Sequence, residues 1–398
     1  MPNPMEQVHY RPCPICGGRE CHPLHQMRFA LPAASPLPDK YTVVASAYCG
    51  FVYADTPGSA EDYARHYAEF SHYEDPAIAT GGGEQAFDRV RLAETADWIA
   101  PHTTSDARVL DIGCGNGGLL LALKERGFNR LEGMDPSAAC VARLKEHGLE
   151  AFRGWLGDIP HGSEKYDLII LSHVLEHLLD PRIALSSLQT LLTTNGRVYV
   201  ETPDAVRYAE FPSVPFYYFD SEHINHFDRA SLDNLARASG FQTEHSASKT
   251  LTVQGGHDYP AVFALLSLAT KSAPIIPDAS ARQAVTAYVA QSAQASKLPT
   301  ALLQALVQGR PIALWGAGSQ AQRLLLTEAM INAHVVAVVD GDRNKQGNCF
   351  AGCTVSAPAI GLKHLPQNCL VVIAAALVAE QILTEYHALN LPYEYIVN

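Results

Sequence analysis

The sequence predicts an α/β protein built on a doubly wound, mostly parallel sheet, with a small cysteine module before it and a second unit of the same type after it. Three observations predict this. From Phe87 onward, short apolar runs of strand length alternate with segments of helical spacing. Two glycine-rich loops, Asp111-Ile-Gly-Cys-Gly-Asn-Gly-Gly and Trp315-Gly-Ala-Gly-Ser-Gln-Ala, each follow a strand and open a helix. Cys13, Cys16, Cys21 and Cys49 crowd into the first fifty residues.

Size and composition agree with several packed units. A chain of 398 residues gives two or three domains at about 150 residues each. Hydrophobic residues make up 47% and charged residues 18%, which excludes a disordered chain. Lys+Arg 29 against Asp+Glu 41 leaves a net charge of −12. That balance disfavours polyanionic partners, so neither nucleic acid nor a membrane surface is expected. The longest apolar run, Cys369 to Ala379, falls short of the ~18 residues of a membrane span. The opening residues have no basic start followed by an apolar stretch, so no signal peptide and a cytoplasmic location are expected. In that compartment cysteines read as metal ligands or core thiols. The sequence carries no signal for an oligomeric state.

In chain order, residues 1–70 read as an irregular cysteine module with short strands near Tyr41–Val44 and Phe51–Tyr53. A polar connector runs from Glu69 through Gly83. The central unit, 71–250, holds strands at Arg108–Ile112, Leu131–Asp135, Tyr166–Leu171 and Arg197–Glu201. Helices at Gly117–Glu125, Ser137–His147 and Ile183–Leu192 lie between them. Residues 204–230 are aromatic-rich and irregular, and a helix at Ala230–Ser239 stops at Gly240. The last unit, 251–398, is expected to hold a helical connector over 275–308. A second βαβ then starts at Pro311, with strands Ile312–Trp315 and Val335–Val339.

The first glycine loop can take a dinucleotide or S-adenosylmethionine, because small residues let the backbone approach a ligand and the helix N-terminus offers free N–H groups. Asp111, just ahead of Gly113, Gly115 and Gly117, would repel a pyrophosphate but suits the ammonium of a methionine moiety. Asp135 ends the next strand, where a carboxylate can accept ribose hydroxyls. Asp158 lies where an adenine contact is expected. With Ser172-His173-Val-Leu-Glu176-His177 after the fourth strand, these residues resemble class I S-adenosylmethionine-dependent methyltransferases over about residues 87–250. The resemblance implies a Rossmann-like sheet and S-adenosylmethionine as methyl donor, with Ser172 and His173 beside its methionine end. Glu176 and His177 can equally cap or pack the following helix.

Cys13-Pro-Ile-Cys16-Gly is half of a zinc knuckle. The matching half reads Ser46-Ala-Tyr-Cys49-Gly, with serine where a second cysteine is expected. A structural Zn2+ on Cys13, Cys16 and Cys49 is the functional reading, with Cys21, His22 or His25 open as fourth donor. A site that folds without metal is the alternative.

Glu222-His223-Ile-Asn225-His226 follows the aromatic run Phe211–Phe219 and is expected over the methyl-donor pocket. An adjacent acid and base suit removal of a C–H proton beside a carbonyl. The cysteine module, the central methyltransferase-like unit with this motif and the C-terminal unit together resemble the sugar C-methyltransferases, which act on nucleotide-linked 4-keto-deoxysugars. That resemblance implies His223 as base, Glu222 assisting and a nucleotide sugar as acceptor, with His173 on the acceptor side of the site. The sequence departs from the pattern in two places: His173 stands where asparagine is expected, and Asp220 where tyrosine is expected, with Tyr218 nearby but out of register. Tyr63, Tyr67 and Tyr73 are candidates for an N-terminal active-site tyrosine.

The second glycine loop, with Asp340 ending the next strand, resembles a dinucleotide fingerprint when read alone. The family resemblance implies instead that it completes the acceptor cleft. Other readings of the chain are an O- or N-methyltransferase for a small metabolite, with His223 or His173 as the catalytic base that deprotonates a hydroxyl or amine, a non-catalytic nucleotide-binding or zinc scaffold, and an NAD-dependent oxidoreductase. Cys349, Cys353 and Cys369 read as core thiols.

Overall fold

The computed structural model describes residues 11–32, 34–69, 86–158, 164–212 and 214–398. Tyr73 and most of the Glu69–Gly83 connector lie outside the described residues.

An antiparallel meander opens the chain: β1 (Cys21–Arg28), β2 (Lys40–Ser46) and β3 (Val52–Asp55). All of β3 is buried, because its free edge is covered by residues 225–226 from the middle of the chain. Helix α1 (Ala60–Glu69) then leads away from the meander.

The central sheet follows helix α2 (Ala86–Ile99). It is built from β4 (Arg108–Ile112), α3 (Gly118–Glu125), β5 (Arg130–Asp135), α4 (Ala138–Glu146), β6 (Glu150–Arg153), β7 (Tyr166–Ser172), α5 (Pro181–Ser187) and β8 (Leu192–Pro203). The short strand β9 (Asn225–His226) is the one that joins the meander, and α6 (Arg229–Ala238), β10 (Phe241–Val253) and β11 (His257–Leu268) complete the unit. The strand order is β10-β11-β8-β7-β4-β5-β6. Strands β4 to β8 are parallel, and β11 runs against both its neighbours. Helices cover both faces of β4 and β7, so these strands read as continuous apolar runs. Local chemistry starts the helices: Ser137 Oγ accepts the Cys140 N–H to cap α4 where a helix was expected, whereas Asp180 with Pro181 opens α5 ahead of the expected Ile183 start, and Leu192 already belongs to β8.

One expected boundary moves. The central unit was expected to end at 250, but β10 and β11 carry its sheet to Leu268. Residues Tyr259 to Leu266 are buried without alternation, a pattern that periodicity cannot separate from a buried helix. The connector helices are α7 (Ser280–Ala295) and α8 (Thr300–Val307). A second sheet follows, with β12 (Ile312–Trp315), α9 (Ser319–Leu325), β13 (Val335–Val339), β14 (Cys349–Phe350), β15 (Cys353–Ser356), α10 (Pro358–Gly361), β16 (Leu370–Ile373), α11 (Ala379–Ala388) and β17 (Glu394–Val397). Its order is β14-β15-β13-β12-β16-β17, parallel except at β14. Among the described residues no helix is long and apolar enough to cross a membrane.

Asn225 ties the meander to the central sheet. Its side-chain N–H groups donate to the carbonyls of Leu175 (2.9 Å) and Leu178 (2.6 Å), and its oxygen accepts from Arg11 (2.9 Å). Arg11 also donates to Leu179 and Ile224 carbonyls. Asn225→Ala removes three hydrogen bonds, one buried and two part-buried, and strips a partner from the Arg11 guanidinium. The expected loss is about 2–4 kcal/mol in denaturant unfolding; a loss below about 0.5 kcal/mol would mean that the tie is not structural.

Candidate active site

The first glycine loop turns directly off β4. Gly113, Gly115 and Gly117 have φ of 72°, 51° and 76°, the left-handed region that side chains resist. A Cβ on Gly113 would meet Val174 Cγ2 at 2.7 Å, so this glycine lets the loop lie against the segment after β7. Asp135 Oδ2 accepts the Gly115 N–H (2.9 Å) and Oδ1 the Ser137 N–H (2.8 Å). Asp135 thereby joins the glycine loop to the start of α4.

Asp111 is 3% exposed. Burial, and then the charge of Asp135, raise its pKa to about 8. Two buried carboxylates at the mouth of a glycine turn leave an electrostatic deficit that a cationic ligand would fill. The donor set therefore fits the ammonium and ribose of S-adenosylmethionine.

Of the expected donor residues, Asp111, Gly113, Gly115, Asp135 and Ser172 line one cleft. Two do not line it. Gly117 packs under Leu144 at the start of α3 and shapes the turn. Asp158 is exposed, and its Oδ2 accepts the Trp155 N–H (2.8 Å), so it caps its own turn.

His173 follows β7 with φ of 56°, an uncommon conformation for a non-glycine residue. Its Nδ1 lies 3.1 Å from Glu176 Oε1 and its Nε2 3.3 Å from Glu201 Oε1. Burial alone would lower its pKa, but the two carboxylates raise it to about 9. Glu201 is also paired with Lys249 (2.6 Å) and accepts from the Tyr199 hydroxyl. With both nitrogens donating to carboxylates, His173 has no lone pair to act as base. The network was not legible in sequence, since Glu201 and Lys249 sit on different strands with no motif to join them.

The opposite wall holds a second cluster. The Tyr67 hydroxyl is 2.7 Å from His177 Nδ1, which also lies 3.2 Å from the Glu222 carbonyl. The His177 and His223 rings are 4.8 Å apart. Glu222 Oε1 pairs with His66 Nε2 at 3.1 Å. Asp220 Oδ1 accepts the N–H groups of Glu222 and His223, both at 2.9 Å, which holds the motif in its turn. Tyr63, His66 and Tyr67 recur at helical spacing on α1, a signal that could have singled out this face. Tyr67 takes the His177 contact, whereas Tyr63 bonds Thr56 (3.2 Å).

The far wall comes from the second parallel sheet through Gly316, Gly318, Arg323 and Lys345. Asp340 Oδ2 accepts the Ala317 N–H (2.8 Å) and pairs with Lys345 (3.2 Å), so this carboxylate is spent on its own loop. The cleft measures about 1090 Å3, larger than most single-ligand pockets of ~300–1,000 Å3. It has room for a donor and a second molecule.

Outside the cleft, the ligand atoms of Cys13, Cys16 and Cys49 lie within 4.8 Å of one another. Ser46 Oγ is 3.3 Å from Cys16 Sγ. Gly17 and Gly50, both at φ 74°, shape two matching turns around the sulfurs. Cys21, His22 and His25 are not in the cluster; His25 stacks on Phe216 instead.

A doubly wound sheet with an acidic glycine turn above its central strands defines a nucleotide-type binding fold. The particular kind follows from comparison: residues 84–246 match the family described as "Methyltransferase domain". This part of the chain is a class I S-adenosylmethionine-dependent methyltransferase domain, the domain of a methyl-transferring enzyme. A ubiquinone biosynthesis O-methyltransferase of Aeromonas salmonicida is 34% identical over 115 residues, covering 27% of this chain and 48% of that protein. A tRNA U34 carboxymethyltransferase of Campylobacter hominis is 35% identical over 101 residues, covering 24% of this chain and 35% of that protein. The chain thus spans about half or less of these relatives' length. Among solved structures, magnesium protoporphyrin IX methyltransferase from Synechocystis with bound SAH matches at 16% identity and a TM-score of 0.36, covering 45% of this chain and 84% of that one. The CcbJ methyltransferase of Streptomyces caelestis matches at 14% and 0.36, covering 52% and 96%.

The raised pKa of Asp111 has a readable consequence. Below pH ~8 the free carboxyl is protonated, whereas a bound ammonium needs it charged. Affinity for S-adenosylmethionine should therefore rise with pH up to about 8, losing up to about tenfold per unit below it, with uptake of the ligand releasing a proton. Calorimetry in buffers of different ionisation enthalpy reads this directly. Asp111→Asn should weaken binding and abolish the slope; an unchanged slope would assign it to another group.

Proposed function

We propose that the chain methylates a carbon next to a ketone on a nucleotide-linked deoxysugar, with S-adenosylmethionine as donor. The observation that carries this reading is the convergence on one cleft of the acidic glycine turn and the Tyr67–His177–His223 and His66–Glu222 cluster. Bound S-adenosylmethionine would supply an electrophilic methyl group. Asp111 would hold its ammonium, Asp135 its ribose hydroxyls, and Ser172 would flank its methionine end. His223 takes the proton from the carbon beside the ketone, and the resulting enolate carbon forms the new C–C bond as the donor's S–CH3 bond breaks. Glu222, paired with His66, keeps negative charge near the imidazolium that forms. His177, oriented by Tyr67, faces His223 and can carry the proton onward. His173 acts as a fixed cation that positions Glu176 and the loop, and it takes no proton itself. Arg323 supplies positive charge on the far wall, which an anionic acceptor needs in a chain of net charge −12, whereas the charge of Lys345 is offset by Asp340 and Asp342.

A second reading has one specific support, the O-methyltransferase relative. There His223, rather than His173 with both its nitrogens on carboxylates, would deprotonate a hydroxyl or amine of a small metabolite. An acceptor deuterated at the target carbon separates the two, since C-methylation must lose that deuterium and O- or N-methylation keeps it.

We further propose that Cys13, Cys16 and Cys49 hold a structural Zn2+, with the fourth position open to Ser46 or a solvent oxygen. The three units 1–70, 71–268 and 269–398 are then a zinc module, a donor-binding unit and an acceptor-side partner.

With a nucleotide keto sugar, His223→Ala should lower kcat by about 10²–10⁴ while leaving affinity for S-adenosylmethionine unchanged. Turnover retained in both His223→Ala and Glu222→Ala would remove the base assignment. Metal analysis should find one zinc per chain on the thiols, and Cys16→Ser should lose it together with several degrees of Tm; an unchanged Tm would contradict a structural metal.

A further inference from the structure

Glu176 does more in the structure than neutralise His173. It is 1% exposed; Oε1 bonds His173, while Oε2 is buried with no partner. A lone carboxylate oxygen left dry costs free energy unless something binds it. Two imidazoles stand beside it. The ligand atoms of Glu176, His177 and His223 lie within 4.8 Å of one another. A 3-10 turn at Leu175–His177 presents the first two, and the Ile224 N–H donating to the Glu176 carbonyl (2.9 Å) brings the third alongside. His177 Nδ1 is engaged by the Tyr67 hydroxyl and the Glu222 carbonyl, which leaves Nε2 to offer a lone pair. An imidazole whose other nitrogen is held by an oxygen partner is the usual setting of a metal-ligating histidine.

We propose that Glu176, His177 and His223 form a divalent-metal site for a Zn2+-type ion in the cleft, and that its occupation switches the enzyme off. Two imidazoles and one carboxylate are a common zinc donor set, and a cleft-side fourth position would hold solvent. Donors bound to one ion at ~2.0–2.2 Å in tetrahedral geometry lie about 3.3–3.6 Å apart, within the 4.8 Å that bounds the present spacing. The inhibitory half rests on the reading of His223 as base: a metal takes the lone pair that would accept the proton. The binding half does not depend on that reading. The ion neither reacts nor changes oxidation state.

The test is a Co2+ titration of the full chain after chelator dialysis. Cobalt on the thiols shows sulfur charge-transfer bands, whereas cobalt on histidine and carboxylate shows visible d–d bands without them. The proposal expects one Co2+ per chain of the second kind. Glu176→Gln and His177→Ala should each weaken it about 10–100-fold, while Cys16→Ser removes only the charge-transfer bands. One equivalent of Zn2+ beyond the thiol site should stop turnover, and EDTA should restore it. Absence of the second cobalt class, or its survival in both variants, overturns the site. Cobalt binding with undiminished turnover overturns the switch. Should Glu176→Gln fail to fold by circular dichroism, His177→Ala carries the binding test. Lack of turnover on a keto sugar in metal-free protein would count against the proposed acceptor and leave the cobalt result standing.

Discussion

The imidazolium of His173, clamped between Glu176 and Glu201, is the interaction on which the cleft depends. Each carboxylate is 1% exposed. A buried charge is tolerable only when paired, and removing one partner of such a pair typically costs about 3–5 kcal/mol. Lys249 supplies the second cation from β10, the edge strand of the sheet. The chain Lys249–Glu201–His173–Glu176 therefore runs from the sheet edge to the floor of the cleft. It holds the loop after β7 in a left-handed turn and sets Val174 against Gly113. The glycine-loop wall and the His177–His223 wall are thus linked through one electrostatic strut.

This strut explains why position 173 is informative. An asparagine there could bond one carboxylate but could not neutralise two. With histidine, the floor is a matched set of charges in which Glu176 is free to face the His177–His223 pair. Asn225 and Arg11 do the equivalent work for the backbone, since they tie the carbonyls of Leu175, Leu178, Leu179 and Ile224 into one block.

Much of the fold was legible because its signals are local. Strand–glycine–helix junctions, the helix start at Ser137 and continuous apolar strands each declare themselves within ten residues. That Asp111, Gly113, Gly115 and Asp135 share one cleft was legible for the same reason. What was not legible is non-local. Strand β11 is apolar on both faces and carries no period. Glu201 and Lys249 meet only because β8 and β11 bring β10 alongside, and Tyr67 is chosen over Tyr63 by the docking of α1. Asp158 had the expected sequence position, but its carboxylate is spent on its own turn. The cysteine turns declared themselves through Gly17 and Gly50, although the serine at 46 leaves the donor set at three sulfurs.

The central claim is that His223 removes a proton from carbon. The most direct measurement is hydrogen exchange on a nucleotide keto sugar in D2O with S-adenosylhomocysteine bound, where no methyl group can be transferred. The account predicts enzyme-dependent incorporation of one deuteron beside the ketone, seen by NMR or mass, and its loss in His223→Ala. Exchange no faster than in the absence of protein, under conditions where methyl transfer proceeds with the active donor, would contradict it.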